Sequence, residues 1–250
     1  VLLMILAPWS AIGIVVLSDS ESLDEDVSSS FTTGTNLAGR YMTEVVFDAS
    51  ANVNDDVNIL YDEKTDRLVV VANRGGSNGV MKFEYSGNSW ASSSVVNWRE
   101  GVDATMDSNG MIHIVAVGQN DCGIHYLEET NSGFTSTQLE TASNSCASNS
   151  QVFSDPVIDI SDDGVAHVAY CTYIRYQGNA QRTYYLNDSG GSWNSRIQVG
   201  GGRCIDPVID TGSDNVSRVI GELECPNGNC NGSPTPMGLI MYTRSGSSWN

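Results

Sequence analysis

Four residues of one predicted loop have side chains suited to ligand recognition. They belong to the longest connection between two predicted strands, residues 171–183, and are Tyr173, Arg175, Tyr176 and Arg182. Aromatic rings and guanidinium groups are common anchors in sugar and peptide recognition. The loop is basic although the chain carries a net charge of −18. It is therefore a candidate ligand site, and the alternative is that it only packs over its neighbour.

Acidic residues are concentrated in three predicted turns, where they suggest a metal site. Ca²⁺ binds about six to eight oxygen ligands, and acidic turns can supply several each. The candidate ligands are Asp62, Asp66, Asp107, Asp162 and Asp163. Asp side chains also close tight turns by accepting hydrogen bonds from their own backbone. Calcium is the one cofactor suggested, and turn capping is the alternative.

Two histidines, His113 and His167, have side chains that could bind metal or act as bases. Both occupy the same position of a repeated element, and a catalytic residue seldom recurs in each repeat. Hydrogen bonding in the core or between repeats is the favoured interpretation. The sequence contains no nucleophile elbow, H-E-x-x-H motif, phosphate-binding loop or dinucleotide fingerprint, and no residue is assigned a catalytic role.

The elements that must position these residues recur along the chain. The segment SDPVID at 154–159 returns as IDPVID at 205–210, and a Tyr-containing strand followed by a Ser/Gly turn and an aromatic residue occurs four times. Each unit contains four short runs rich in Val, Ile, Tyr and Thr, bounded by Gly, Asp, Asn and Ser. Four strands repeating every 40–55 residues predict an all-β fold, a β-propeller of four-stranded antiparallel blades.

We place the propeller domain at residues 37–250. It contains about four blades, with predicted boundaries at 50–98, 99–151, 152–203 and 204–250. Residues 41–48 look like a fourth strand without its first three, and the last unit stops as its fourth strand begins. Either the N-terminal strand closes a four-bladed ring or the chain is a fragment of a larger propeller. We favour the fragment.

The N-terminal residues predict export. Residues 1–17 carry no charge and are interpreted as a signal peptide or a retained membrane anchor. Residues 18–36 are acidic and rich in Ser and Thr, which predicts a disordered linker. The protein is therefore expected to be extracellular or on the cell surface, in contact with a membrane through residues 1–17 if these are not cleaved.

The six cysteines agree with an oxidising compartment. Two follow the second strand of a unit and two lie in the connection to the next unit, while the last two bracket a turn-rich loop. This placement predicts three disulfides, Cys122–Cys146, Cys171–Cys204 and Cys225–Cys230.

The overall charge bears on the class of partner. The chain has 12 basic and 30 acidic residues, and phosphate binding requires a basic surface. Nucleic acid is therefore excluded as a partner, and a glycan or protein ligand is expected instead.

The Asp/Gly turns before the histidine strands and the Ser-Gly-x-Ser-Trp elements at 86–90 and 189–193 resemble the sialidase-like propeller repeats of secreted microbial proteins. The resemblance covers residues 40–250 and implies a propeller. In this chain the turns between third and fourth strands lack the Asp of the family's Asp box. The Arg-Ile-Pro of the enzymes is absent, and the available arginines do not assemble their triad. The resemblance therefore extends to the fold and not to catalysis.

These observations predict a membrane-anchored or secreted recognition module for glycan or protein ligands. A sialidase-like glycoside hydrolase and a structural repeat protein of the cell envelope are the alternatives.

Overall fold

A computed structural model shows the chain as two compact units, Val1–Asn52 and Val53–Asn250. It describes residues 2–4, 14–16, 32–33, 42–43, 56–73, 79–85, 89–96, 100–118, 120–142, 151–174, 182–199, 204, 207–222, 239–246 and 248–250.

The first unit contains two short antiparallel pairs. They are β1 (Leu2–Met4) with β2 (Ile14–Val16), and β3 (Thr32–Thr33) with β4 (Met42–Thr43). The rest of the predicted anchor, 1–17, and of the predicted linker, 18–36, lies outside the described residues, so both assignments stay predictions. Within the part of the chain that is described, the structure contains no helix long and apolar enough to span a bilayer.

The second unit consists of four antiparallel sheets, in each of which four strands pair in chain order. The first two sheets are β5 (Val57–Asp62), β6 (Arg67–Asn73), β7 (Val80–Tyr85), β8 (Trp90–Val96) and β9 (Glu100–Met106), β10 (Ile112–Val117), β11 (Ile124–Thr130), β12 (Gly133–Glu140). The last two are β13 (Gln151–Ile160), β14 (Ala166–Ile174), β15 (Arg182–Asn187), β16 (Ile197–Val199) and β17 (Val208–Thr211), β18 (Ser217–Glu222), β19 (Leu239–Ser245), β20 (Ser248–Trp249).

The packing of these sheets is that of a β-propeller and confirms the predicted fold class. The first strands of consecutive sheets lie against one another, β5 on β9, β9 on β13 and β13 on β17. The second strand β10 is buried at every position, whereas the fourth strand β12 is exposed along most of its length. Apolar residues on both faces of a second strand are thus covered by the two neighbouring sheets.

The turns between first and second strands explain the recurring Gly, Asp and Asn. Each contains one residue with left-handed backbone: Asp66 (φ 54°), Gly110 (φ 78°), Gly164 (φ 80°) and Asn215 (φ 55°). Glycine adopts this region without a Cβ clash, and Asn and Asp tolerate it better than other residues do. The turn composition therefore sets where each sheet begins its second strand.

Three hydrogen bonds of one kind connect the first strands of consecutive sheets. Each joins a side chain to the backbone of the next sheet: Asn58 Nδ2 donates to the Val102 carbonyl (3.2 Å), Ile158 N donates to Asp103 Oδ2 (2.8 Å) and Thr211 N donates to Asp159 Oδ2 (2.5 Å). At each of the three junctions, one polar side chain thus holds the first strands of two consecutive sheets together at their inner edge.

The two repeated histidines hold neighbouring strands and sheets together, as the sequence predicts. His113 Nδ1 lies 2.6 Å from the Tyr126 hydroxyl, and His167 Nδ1 lies 2.6 Å from the Tyr185 hydroxyl and 2.9 Å from Ser217 Oγ of the following sheet. Burial, followed by the charge of a nearby arginine, lowers the pKa of His167 to about 4. A tryptophan of the following sheet meets each tyrosine ring edge-on, with centroids 4.9 Å apart (Trp193 and Trp249).

An ion cluster joins the first two sheets. Glu129 of β11, whose side chain is 10% exposed, lies 2.9 Å from Arg67 Nη2 and 2.7 Å from Lys82 Nζ. Burial alone would raise the pKa of Glu129, but hydrogen bonds from the two cations outweigh it and hold that pKa below its usual value. Arg67 also bonds to Glu84 at 2.9 Å. Glu129 therefore compensates two partly buried cations of the neighbouring sheet.

Candidate functional site

The predicted ligand loop joins β14 to β15 at one end of the third sheet. Tyr173 is the second-last residue of β14 and pairs with Val152, and Arg182 is the first residue of β15. Arg175 and Tyr176 lie outside the described residues. We call this end of the sheets, where second strands finish and third strands start, the loop face. Arg182, at the start of β15, is partly buried.

A disulfide stabilises the loop face. Cys171 of β14 bonds to Cys204, with Cα atoms 5.4 Å apart, which confirms the predicted pairing. It ties the connection that follows β16 to the end of β14. Cys122 is also disulfide-bonded; its predicted partner Cys146 lies outside the described residues, as do Cys225 and Cys230. The crosslink holds two connections of the loop face close to Arg182.

The alternation of β15 places Arg182 and Tyr184 on the face turned toward the second sheet. Leu186, two residues further along this face, belongs to the core shared with Val115 of β10. Successive side chains of a strand point to opposite faces, so Arg182, Tyr184 and Leu186 form one row. This row ends in partly buried polar and aromatic residues near the loop face, where Glu140 finishes β12.

Four residues form what we call the Glu140 cluster at this junction: Glu140, Tyr170, Tyr184 and Arg196. The Tyr170 hydroxyl donates to Glu140 Oε1 at 2.7 Å, and Arg196 Nη1 lies 3.4 Å from Glu140 Oε2. The Arg196 guanidinium carbon lies 4.6 Å from the centroid of the Tyr184 ring, and the rings of Tyr170 and Tyr184 are stacked at 6.0 Å. A carboxylate, a cation and an aromatic ring thus share one inter-sheet junction.

The members of the Glu140 cluster differ in exposure. The Arg196 side chain is 33% exposed and that of Glu140 is 17% exposed, whereas Tyr170 is fully buried. Burial, then the charge and hydrogen bond of Glu140, raises the pKa of Tyr170 well above its usual value. The phenol therefore stays protonated and fixes one carboxylate oxygen. The remaining polar groups can meet a ligand from solvent.

Sequence reasoning missed three members of this cluster that face solvent. Glu140 ends β12, Tyr184 lies within β15 and Arg196 immediately precedes β16, so no shared motif marks the three residues in the sequence. The usable signal is the position of Tyr184, two residues after the predicted Arg182 on the same face of β15. The alternation rule extends the predicted site from the loop into the junction between the second and third sheets.

Two of the predicted calcium ligands have oxygens that cap their own turns. Asp62 accepts hydrogen bonds from the backbone N–H of Lys64 (3.0 Å) and from Thr65 Oγ1 (2.6 Å). Asp107 Oδ1 accepts from the backbone N–H groups of Asn109 and Met111, at 2.9 and 2.8 Å. These contacts are the turn-capping alternative considered for the sequence.

Of the other three predicted calcium ligands, Asp66 lies in the same turn as Asp62, and Asp162 and Asp163 lie in the β13–β14 turn. Asp66 accepts from the Tyr61 hydroxyl at 2.8 Å, Asp163 accepts from Ser161 Oγ, and Asp162 is exposed at the β13–β14 turn. Among the described residues, no three His, Cys, Asp or Glu side chains are grouped so as to hold a metal ion. Calcium binding at these turns stays a prediction.

No protein-family model and no curated protein matches the sequence. Solved structures are similar in fold. A polysaccharide lyase, the family PL25 ulvan lyase bound to -[GlcA(1-4)Rha3S]-, has a TM-score of 0.56 at 11% identity, covering 78% of this chain and 56% of its own. The SapL1 lectin in complex with alpha methyl fucoside has a TM-score of 0.52 at 15% identity, covering 81% and 64%.

A third similar structure is the subtype N10 neuraminidase-like protein of A/little yellow-shouldered bat/Guatemala. Its TM-score is 0.51 at 10% identity, covering 78% of this chain and 57% of its own. The chain thus spans between 56% and 64% of the lengths of these three proteins. At such identities the likeness shows a shared fold, one that includes a neuraminidase-like member.

Proposed function

We propose that this chain is an extracytoplasmic recognition module that binds a glycan at the loop face, with the Glu140 cluster as part of the binding site. The observation that carries the proposal is the partly exposed Arg196, held between the Tyr184 ring and the Glu140 carboxylate. Sugar rings offer hydroxyl groups that both donate and accept, and apolar C–H faces that pack on aromatic rings. The Glu140 carboxylate and the Arg196 guanidinium can bond to the hydroxyl groups, and the Tyr184 ring can pack on an apolar face.

The similar solved structures also support glycan binding. They include a lectin in complex with alpha methyl fucoside and a polysaccharide lyase bound to -[GlcA(1-4)Rha3S]-. The Cys171–Cys204 disulfide supports an oxidising location. Membrane attachment through residues 1–17, a protein ligand instead of a glycan, and descent from sialidase-like repeats belong to the proposal as further expectations.

The Tyr–Glu pair of the cluster supports binding more than hydrolysis. A nucleophilic tyrosine must reach the substrate, and Tyr170 is 0% exposed. Its phenol is held protonated by burial and by the Glu140 charge, as its raised pKa indicates. A hydrolase at this face would need residues beyond this pair, so a recognition role is the function we favour.

Screening the purified chain against immobilised glycans of defined structure tests the proposal, followed by titration with the strongest ligand. Arg196→Ala is expected to weaken binding by about tenfold or more, because a charge-assisted hydrogen bond contributes about 1.5–3 kcal/mol and about 1.4 kcal/mol is tenfold in affinity. Tyr184→Ala is expected to weaken binding as well, because the ring that packs on a sugar face is lost. Arg218→Ala is the matched control, since Arg218 pairs with Asp214 (2.6 Å) in the β17–β18 turn at the opposite end of the sheets.

Two outcomes would contradict the proposal. One is a folded, disulfide-bonded chain that binds no glycan above background. The other is glycan binding that both cluster variants leave at wild-type strength. Thermal melting of each variant confirms that a lost signal is not lost folding. Turnover of a fluorogenic sialoside would favour the hydrolase alternative.

A further inference from the structure

Three Asn-x-Ser sequences of the kind that accept N-linked glycans occur in the chain, at Asn187, Asn215 and Asn231. The proposed recognition function uses none of them. Asn231 lies outside the described residues. The structure places the other two in opposite surroundings, one buried in a hydrogen-bond network and the other exposed on a turn.

Asn187 is not able to carry a glycan in the folded protein. The residue is 3% exposed, and its Nδ2 donates to the Tyr185 hydroxyl at 2.9 Å. Its Oδ1 accepts from Asn194 Nδ2 at 2.6 Å and from Ser189 Oγ at 3.2 Å. A sugar on Nδ2 would displace the phenol and would have no route to solvent.

Asn215 is exposed near the tip of the turn between β17 and β18. Its backbone has a left-handed φ of 55°, and its N–H donates to the Gly212 carbonyl at 2.8 Å, so the turn is held by contacts that do not involve the Asn215 side chain. Within the described residues its side-chain amide makes no hydrogen bond. The turn lies at the end of the sheets opposite the loop face, so a glycan here leaves the Glu140 cluster open.

The serine of the Asn215 site is buried, whereas Asn215 itself is exposed. Ser217 is 1% exposed, and its hydroxyl lies 2.9 Å from His167 Nδ1 and 3.2 Å from the Tyr185 hydroxyl, both in the third sheet. The hydroxyl of an Asn-x-Ser site is part of what the transferring enzyme recognises. Once the fourth sheet packs on the third, that hydroxyl is no longer available.

We infer that Asn215 is an N-glycan acceptor and that it is modified before the fourth sheet packs on the third. Asn215 Nδ2 forms a bond to the anomeric carbon of a lipid-linked oligosaccharide diphosphate. The bond between that carbon and the phosphate oxygen breaks, the lipid diphosphate leaves, and the amide loses one proton. The glycan then remains on an exposed turn while Ser217 is buried beneath it.

Production of the full chain in the secretory pathway of a eukaryotic cell tests the site. An Asn231→Gln background removes the third acceptor, and peptide mass spectrometry before and after glycan-releasing amidase shows which asparagines are occupied. In the secreted, folded protein we expect occupancy of Asn215 and none of Asn187, because a chain that received a glycan at Asn187 before packing could not form the buried hydrogen bonds of that residue. Asn215→Gln is expected to abolish the gel shift, and Ser217→Thr, which keeps the hydroxyl, to retain it. Secreted protein with an intact Cys171–Cys204 bond and an unmodified Asn215 would overturn the inference.

Treatment of purified unglycosylated chain with transferase and a lipid-linked oligosaccharide tests the order of events. We expect modification of Asn215 in the reduced, unfolded chain and its loss in the folded chain. Equal modification of both forms would refute the requirement that transfer precedes packing. A glycan found on Asn187 of the folded, secreted protein would refute the contrast between the two sites.

Discussion

Replacement of Asp103 by asparagine tests how the first strands of consecutive sheets are held together. Asp103 accepts the backbone N–H of Ile158 across the junction between the second and third sheets. Burial raises its pKa to about 6, despite backbone hydrogen bonds that lower it, with smaller contributions from the charges of Asp159 and Asp56. An amide oxygen can still accept the Ile158 N–H, so the variant removes the charge while keeping the hydrogen bond.

The magnitude follows from the two pKa values. An aspartate in an unfolded chain titrates near about 3.9, so the difference from about 6 is about 2 units. At about 1.4 kcal/mol per unit, ionised Asp103 lowers the free energy of unfolding by up to about 3 kcal/mol. Because the folded-state pKa is raised, this loss of stability is absent below about pH 4, grows as the pH rises toward about 6 and is complete above that value.

Urea unfolding of the wild type and Asp103→Asn at a series of pH values measures this effect. We expect the variant to be the more stable protein near about pH 7, by up to about 3 kcal/mol, with a difference that shrinks toward about pH 4. Asp214→Asn should behave in the opposite direction, because Arg218 lowers the pKa of Asp214 to about 2. Parallel stability curves for wild type and Asp103→Asn would refute the reasoning.

Three further outcomes are expected. Glu129→Ala removes the more buried carboxylate and leaves Arg67 and Lys82 paired with the more exposed Glu84, so it should lower the free energy of unfolding by about 1–3 kcal/mol in denaturant titrations, whereas Glu84→Ala should cost less than about 1 kcal/mol; equal losses would contradict the burial argument. Replacement of Cys171 and Cys204 together by serine opens a crosslink of sequence separation 33 and should lower stability by about 3–4 kcal/mol in the chain-entropy treatment, measurable by calorimetry against the oxidised wild type. If the acidic turns bind calcium, chelator should lower the melting midpoint by several degrees; an unchanged midpoint would contradict calcium binding and leave the Asp62 oxygens with their turn-capping role alone.

Much of the fold can be predicted because each sheet repeats the same turn residues and apolar strand patterns. Turn residues such as Gly164 and Asn215 take left-handed backbone, which few other residues adopt easily. The apolar run of β10 is buried on both faces, as expected for a strand between two neighbouring sheets. The Cys171–Cys204 pairing could be inferred from the repeat because residues at the same position of each repeat lie at the same place in each sheet.

The candidate site is harder to predict because it depends on how sheets meet. Glu140 and Arg196 are 56 residues apart in sequence and come together only through the packing of the second sheet on the third. Composition marks the loop before Arg182, but it carries no information on which residue of the neighbouring sheet will face Tyr184. The turns and the hydrophobic pattern of a sheet set its strand register. They do not set the distance between side chains of two neighbouring sheets.

The inner-edge hydrogen bonds have a consequence for how such proteins diverge. Asn58, Asp103 and Asp159 each contact a peptide group of the following sheet, and every residue type except proline presents the same N–H and C=O. The receiving strand can therefore change its side chains without losing the contact. Selection need only preserve one polar group per junction, which allows neighbouring blades to drift apart in sequence while their spacing about the axis persists.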